Sequence, residues 1–116
     1  MRYLLLIGGE DTGTTGSSDQ TSKDVCDAAD AMAWAEEMTR RRVLLTGEVL
    51  RPPSDATTVR VRDGEVLLAD GPFAETKEQM GGFSVIECAN LDEALEIAAS
   101  HPVARYGMVE VRPIWD

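Results

Sequence analysis

Two cysteines and one histidine are all the thiol and imidazole groups in this chain of 116 residues. A structural zinc site takes four ligands, so Cys26, Cys88 and His101 fall short of one, and neither a metal nor any other cofactor is expected. Cations are also in short supply. Eleven Lys and Arg stand against 21 Asp and Glu, a formal net charge of -10. That sign opposes phosphate backbones, so direct nucleic-acid binding would demand a basic face in an acidic protein, and none is expected. The one dense basic run, Arg40, Arg41 and Arg42, reads as the last turn of a helix complementing the negative end of its dipole.

Long apolar runs are missing too. Residues 2–7 hold only four consecutive aliphatics, far below the ~20 residues of a membrane span and without the longer core of a signal peptide. A cytoplasmic protein with no membrane partner and reduced thiols is therefore expected. The chain also lacks any Gly-Lys pair, which excludes a Walker phosphate loop from the Gly-, Ser- and Thr-rich residues 8–22; these read as a loop.

What remains is ordinary globular material: 43% hydrophobic and 28% charged residues in a length that suits one domain over 1–116. Residues 2–7 read as a first strand bounded by Gly8 and Gly9. Thr21 or Ser22 caps a helix to about Arg41, with Val25, Ala28, Ala29, Met32, Ala35 and Met38 as its apolar stripe and Trp34 as a further packing residue. Residues 43–50 read as a second strand, which Pro52 and Pro53 terminate. Residues 57–62 then alternate, Val59 and Val61 on one face and Thr58, Arg60 and Arg62 on the other. Asp63-Gly64 supplies a two-residue turn, and Val66 to Ala69 return as the partner strand of a hairpin. Residues 83–88 form another strand. Asn90 and Glu93 make a capping-box-like start to a second helix with inner face Leu91, Ala94, Leu95 and Ala98, ending near His101 and Pro102. Residues 106–112 supply the last strand.

Two strand-helix-strand halves with an inserted hairpin predict an α+β, ferredoxin-like fold with two helices on one face of an antiparallel sheet. Two helices cover one face only, yet Leu4, Leu6, Leu44, Val59, Val61, Val85, Ile86, Val109 and Val111 offer more apolar strand positions than that face needs. A second copy packed on the open sheet face is the economical solution, because closed twofold dimers are the commonest oligomers.

The stretch from Val59 to Trp115 carries a compound signature: Asp70-Gly71-Pro72-Phe73, then Ala74-Glu75-Thr76-Lys77-Glu78, then Gly81-Gly82-Phe83. With the amino-terminal MRYLLLI and Gly47-Glu48, it resembles the YCII-related family, specifically its DGPF-domain branch. The resemblance implies a ferredoxin-like fold of the dimeric α/β barrel type and leaves function open. It points to a regulatory association with an extracytoplasmic-function sigma factor, or to small-molecule chemistry by a His-Asp pair in a dimer cleft. That His belongs to the first helix of the related proteins, and residues 22–42 contain none.

Asp70 has two readings. As a turn residue it accepts backbone N–H groups and sets the geometry of Gly71-Pro72; as a general base it faces a cleft, with Glu48 as a neighbouring carboxylate. His101 is the only imidazole available to catalysis, and its place in the last turn of the second helix favours capping free carbonyls. Arg60, Arg62, Lys77 and Arg105 are the cations placed to meet an anionic ligand, and Thr76 lies in a polar run that Gly81 and Gly82 would hinge. The expectation is a homodimer that binds a small ligand or a protein partner. The alternative is a cofactor-independent lyase or isomerase using Asp70 with His101 or an arginine.

Overall fold

The computed structural model describes residues 1–10, 22–72 and 78–115, with side chains over 1–9, 29–72 and 79–115. The elements run β1 (Arg2–Glu10), α1 (Ser22–Arg40), β2 (Leu44–Val49), β3 (Thr57–Arg62), β4 (Glu65–Asp70), β5 (Glu78–Glu87), α2 (Leu91–Ala99) and β6 (Met108–Pro113), with short 3-10 turns at Pro53–Asp55 and Pro102–Arg105. Four strands make one antiparallel sheet in the order β2-β5-β1-β6, while β3 and β4 pair only with each other. Each helix thus connects two strands that flank a third, the split strand-helix-strand arrangement. The two helices on an antiparallel sheet, the α+β class and the inserted hairpin are those expected.

The pleat sorts β1 cleanly. Tyr3, Leu5 and Ile7 are buried against the helices with Ile86 of β5, Trp34 and Met38 of α1, and Ala94, Ile97 and Ala98 of α2. Both helices are rotated from the expected stripes. On α1 the inward face is Ala31, Trp34, Ala35 and Met38, and Met32 is 66% exposed. On α2 it is Ala94, Ile97 and Ala98, and Leu91 and Leu95 are about half exposed. Several apolar residues at helical spacing admitted more than one stripe, and the bulk of Trp34 and Ile97 fits the sheet better. The part of the first stripe at Val25 and Ala28 lies outside the described side chains.

Arg42 closes α1 with φ of 60°. Its N–H donates to the Thr39 carbonyl (3.0 Å) and the Val43 N–H donates to that of Met38 (2.9 Å), the Schellman pattern with an arginine where glycine is usual. Met38 and Val43 both reach the core, which supplies the accompanying apolar contact. At α2, Asn90 Oδ1 accepts from the Glu93 N–H (2.9 Å) while Glu93 Oε1 accepts from the Ala89 N–H (3.2 Å). The expected capping box is present, its return arm reaching one residue further upstream.

Gly8 and Gly107 mark the closest backbone approach. β1 shifts register between Ile7 and Gly8; a Cβ on Gly8 would overlap the Gln79 carbonyl, and one on Gly107 the carbonyl of Gly8. A bulge flanked by such contacts admits no side chain.

Candidate functional site

No described element covers the face of the sheet away from the helices. Cross-strand register aligns two rows of four residues over it. One row runs Glu48, Phe83, Leu6 and Glu110; the next runs Thr46, Val85, Leu4 and Arg112. Phe83, Leu6, Val85 and Leu4 are half-buried and form an apolar floor, while Glu48 and Arg112 are exposed at its margins. Glu110 and Arg112 pair as an ion pair on β6. The Glu48 side chain has no hydrogen-bond or ion-pair partner among the described residues. An apolar floor with carboxylates on opposite sides and one guanidinium suits a flat, mostly apolar molecule bearing polar substituents.

The apolar strand positions that seemed too many for one face divide three ways. Leu44, Ile86, Val109 and Val111 belong to the helix-covered side, Leu4, Leu6 and Val85 to the open side, and Val59 and Val61 to the separate hairpin.

The candidate site residues do not converge. Asp70 ends β4, opposite Thr57, on the hairpin face that carries Val59, Val61, Val66 and Leu68. Arg60 and Arg62 lie on the reverse face, so the hairpin separates them from Asp70. The turn after Asp70 is held by other groups than its carboxylate. Gly71, at φ of 93°, donates its N–H to the Ala56 carbonyl (2.7 Å), and the Thr58 hydroxyl donates to the Gly71 carbonyl (2.7 Å). Among the described residues the Asp70 side chain has no hydrogen-bond or ion-pair partner. Thr76 and Lys77 lie outside the described residues.

His101 is not in the last turn of α2. α2 ends at Ala99, and His101 caps the following 3-10 turn, its Nδ1 accepting from the Val103 N–H at 3.1 Å. It is 5% exposed, edge-on to Trp34 with ring centroids 4.7 Å apart. Burial pushes its pKa below the usual imidazole value, and its Nδ1 accepts a backbone N–H where the expected role was capping free helix carbonyls. The Trp34 indole N–H donates to Ser100 Oγ (2.9 Å), which donates to the Ile97 carbonyl (2.6 Å). Arg105 is drawn to the helix side as well, toward Asp30 of α1 at 3.4 Å. The turn bearing His101 packs on α1, α2, β1 and β6, whereas β4 packs chiefly on β3. Asp70 and His101 thus sit on different parts of the fold.

Sequence reasoning placed Glu48 but missed Glu110 and Arg112. The signal was the alternation of residues 108–112, with Val109 and Val111 in and the charges out. Cys88 is buried; burial, then the Glu93 charge, raises its thiol pKa, which makes it an inert packing group. Among the described residues no three His, Cys, Asp or Glu side chains gather as a metal site, and no helix is long and apolar enough to cross a membrane.

These features define a ferredoxin-like α+β fold, two helices on one face of an antiparallel sheet whose other face no described element covers. The chain belongs to the YCII-related family, whose domain model matches residues 1–116. An uncharacterised protein of Rhizobium meliloti (strain 1021) is 51% identical over 67 residues, 56% of this chain and 54% of that relative, so the match spans about half the relative's length. A solved structure, 5-chloro-2-hydroxyhydroquinone dehydrochlorinase from Burkholderia phenoliruptrix AC1100 in complex with 2,5-dihydroxybenzoquinone, superposes with a TM-score of 0.55 over 100% of this chain and 94% of its own, at 15% identity. At that identity the likeness is one of fold.

Proposed function

We propose that this protein is a single-domain member of the DGPF branch that works as a homodimer and binds a small organic molecule over the open sheet face, beneath the second copy. The observation that carries the reading is the floor of Leu4, Leu6, Phe83 and Val85 with Glu48, Glu110 and Arg112 around it. A face of this composition needs cover, and a second copy supplies cover and closes a cavity in one step. Native mass spectrometry of freshly purified protein tests it. A dimer retaining a reproducible extra mass is the expected spectrum. A monomer at micromolar concentration refutes the homodimer, and a clean dimer that takes up none of a panel of cyclic hydroxylated compounds turns the reading toward a protein partner, such as a sigma factor.

A second reading, a cofactor-independent lyase or isomerase, draws support from the dehydrochlorinase with its bound hydroxyquinone. It assigns Asp70 or Glu48 as the general base, both being unpartnered carboxylates among the described residues. Asp70→Asn or Glu48→Gln must then abolish turnover of a cyclic hydroxylated substrate while the dimer and its Tm stay unchanged.

A further inference from the structure

The β3-β4 hairpin is the least explained part of the fold. A lone two-stranded hairpin is marginal in water, and three strands or a packed face are ordinarily needed to hold one. Here no residue of β4 is buried on either side. One face carries Thr58, Arg60 and Arg62 opposite Ala69, Leu67 and Glu65; the other carries Val59, Val61, Val66 and Leu68, exposed by 59%, 58%, 64% and 68%. Four aliphatic side chains left open to that extent make a patch of a few hundred Å², the scale at which exposed apolar surface marks a contact.

We propose that this hairpin is an arm that clasps a second copy of the chain, laying Val59, Val61, Val66 and Leu68 against it beside the sheet-to-sheet contact. The inference rests on the homodimer reading above. Three observations choose the second copy as occupant. The first is area: the open sheet face offers about a dozen outward positions, whereas a stable interface takes about 20–30 residues a side. The sheet contact alone is short of partners, and the hairpin supplies the rest. The second is charge. Two copies that each carry -10 meet with least repulsion on surface free of carboxylates, and the aliphatic hairpin face holds one, Asp70, at its end. The third is reciprocity: a twofold axis covers both arms at once, leaving no unpaired copy of either apolar surface.

The base of the arm is closed by its own hydrogen bonds. The Gly71 N–H to Ala56 carbonyl bond and the Thr58 hydroxyl bond tie the two ends of the hairpin together, and Arg51 pairs with Asp55 (3.0 Å) in the connection from β2.

The test is sedimentation equilibrium of the full chain and of Val61→Asp/Leu68→Asp, together with a photo-crosslinking residue in place of Leu68 in otherwise unaltered protein. The proposal expects a wild-type dimer, a dissociation constant raised at least tenfold in the double variant, and a dimer-mass crosslinked product on irradiation. A wild-type dimer with an unchanged constant in the double variant, or one that yields no crosslinked dimer, overturns the arm and leaves the homodimer standing. A wild-type monomer at micromolar concentration overturns both. If the double variant misfolds, the crosslink alone decides.

Discussion

Arg42→Gly is expected to stabilise the protein, and the size of the effect can be worked from the helix end. Arg42 sits at φ of 60°, where an L residue's Cβ crowds the carbonyl at a cost of about 1–2 kcal/mol. The hydrogen bonds that close α1 there are backbone bonds from Arg42 and Val43, and glycine keeps both. The guanidinium is exposed and unpaired among the described residues. Two terms oppose the relief. Glycine has greater freedom in the unfolded chain, worth about 0.5–1 kcal/mol. One cation is also lost at the negative end of the helix, worth about 0.3 kcal/mol with Arg40 and Arg41 still present. The balance is a gain of about 0.5 kcal/mol, or a Tm rise of about 2 °C for a chain of this length. Urea unfolding at fixed protein concentration, followed by Trp34 fluorescence, should show a higher midpoint at unchanged slope. Arg42→Ala keeps the Cβ and gains nothing. A glycine variant no more stable than the alanine variant would refute the reasoning.

Stability should fall on mild acidification through His101. Its folded pKa is depressed by burial, so the unfolded chain binds the proton more readily. The contribution is complete above the unfolded pKa of about 6.5 and is lost as pH drops from there toward the depressed folded value, at up to about 1.4 kcal/mol per pH unit. His101→Gln should flatten the profile just below pH 6.5; an unchanged slope would assign it to another group. Gly8→Ala is expected to cost about 2–4 kcal/mol, because its Cβ meets the backbone of Gln79 rather than a side chain able to move, and a loss below 1 kcal/mol in urea titration would contradict the close approach. Asn90→Ala should cost about 1 kcal/mol by freeing the Glu93 N–H, with Asn90→Asp largely retaining stability.

Much of the fold was legible because local chemistry and tertiary structure agree. Alternation at residues 57–62 and the Asp63-Gly64 turn identify the hairpin, and both turn residues do take positive φ, 51° and 79°. Asn90 with Glu93 locates the start of α2 because capping is settled within four residues. The site was far less legible. Asp70, Arg60 and Arg62 are near neighbours in sequence, but a strand sends alternate side chains to opposite faces. Glu48 is remote in sequence from Glu110 and Arg112, yet the three flank one apolar floor, because β2 and β6 are the outer strands of one sheet.

The sequence by itself determined the order and kind of the elements, the hairpin and its turn, the cap of α2 and the acidic balance, since each is written in neighbouring residues. Only the tertiary structure decided which stripe of each helix faces inward, that Arg42 bends back at the end of α1, and that His101 is buried against Trp34. It also decided that the hairpin stands apart from the four-stranded sheet. These outcomes depend on which distant surfaces compete for burial, and burial is a property of the packed chain rather than of any segment of it.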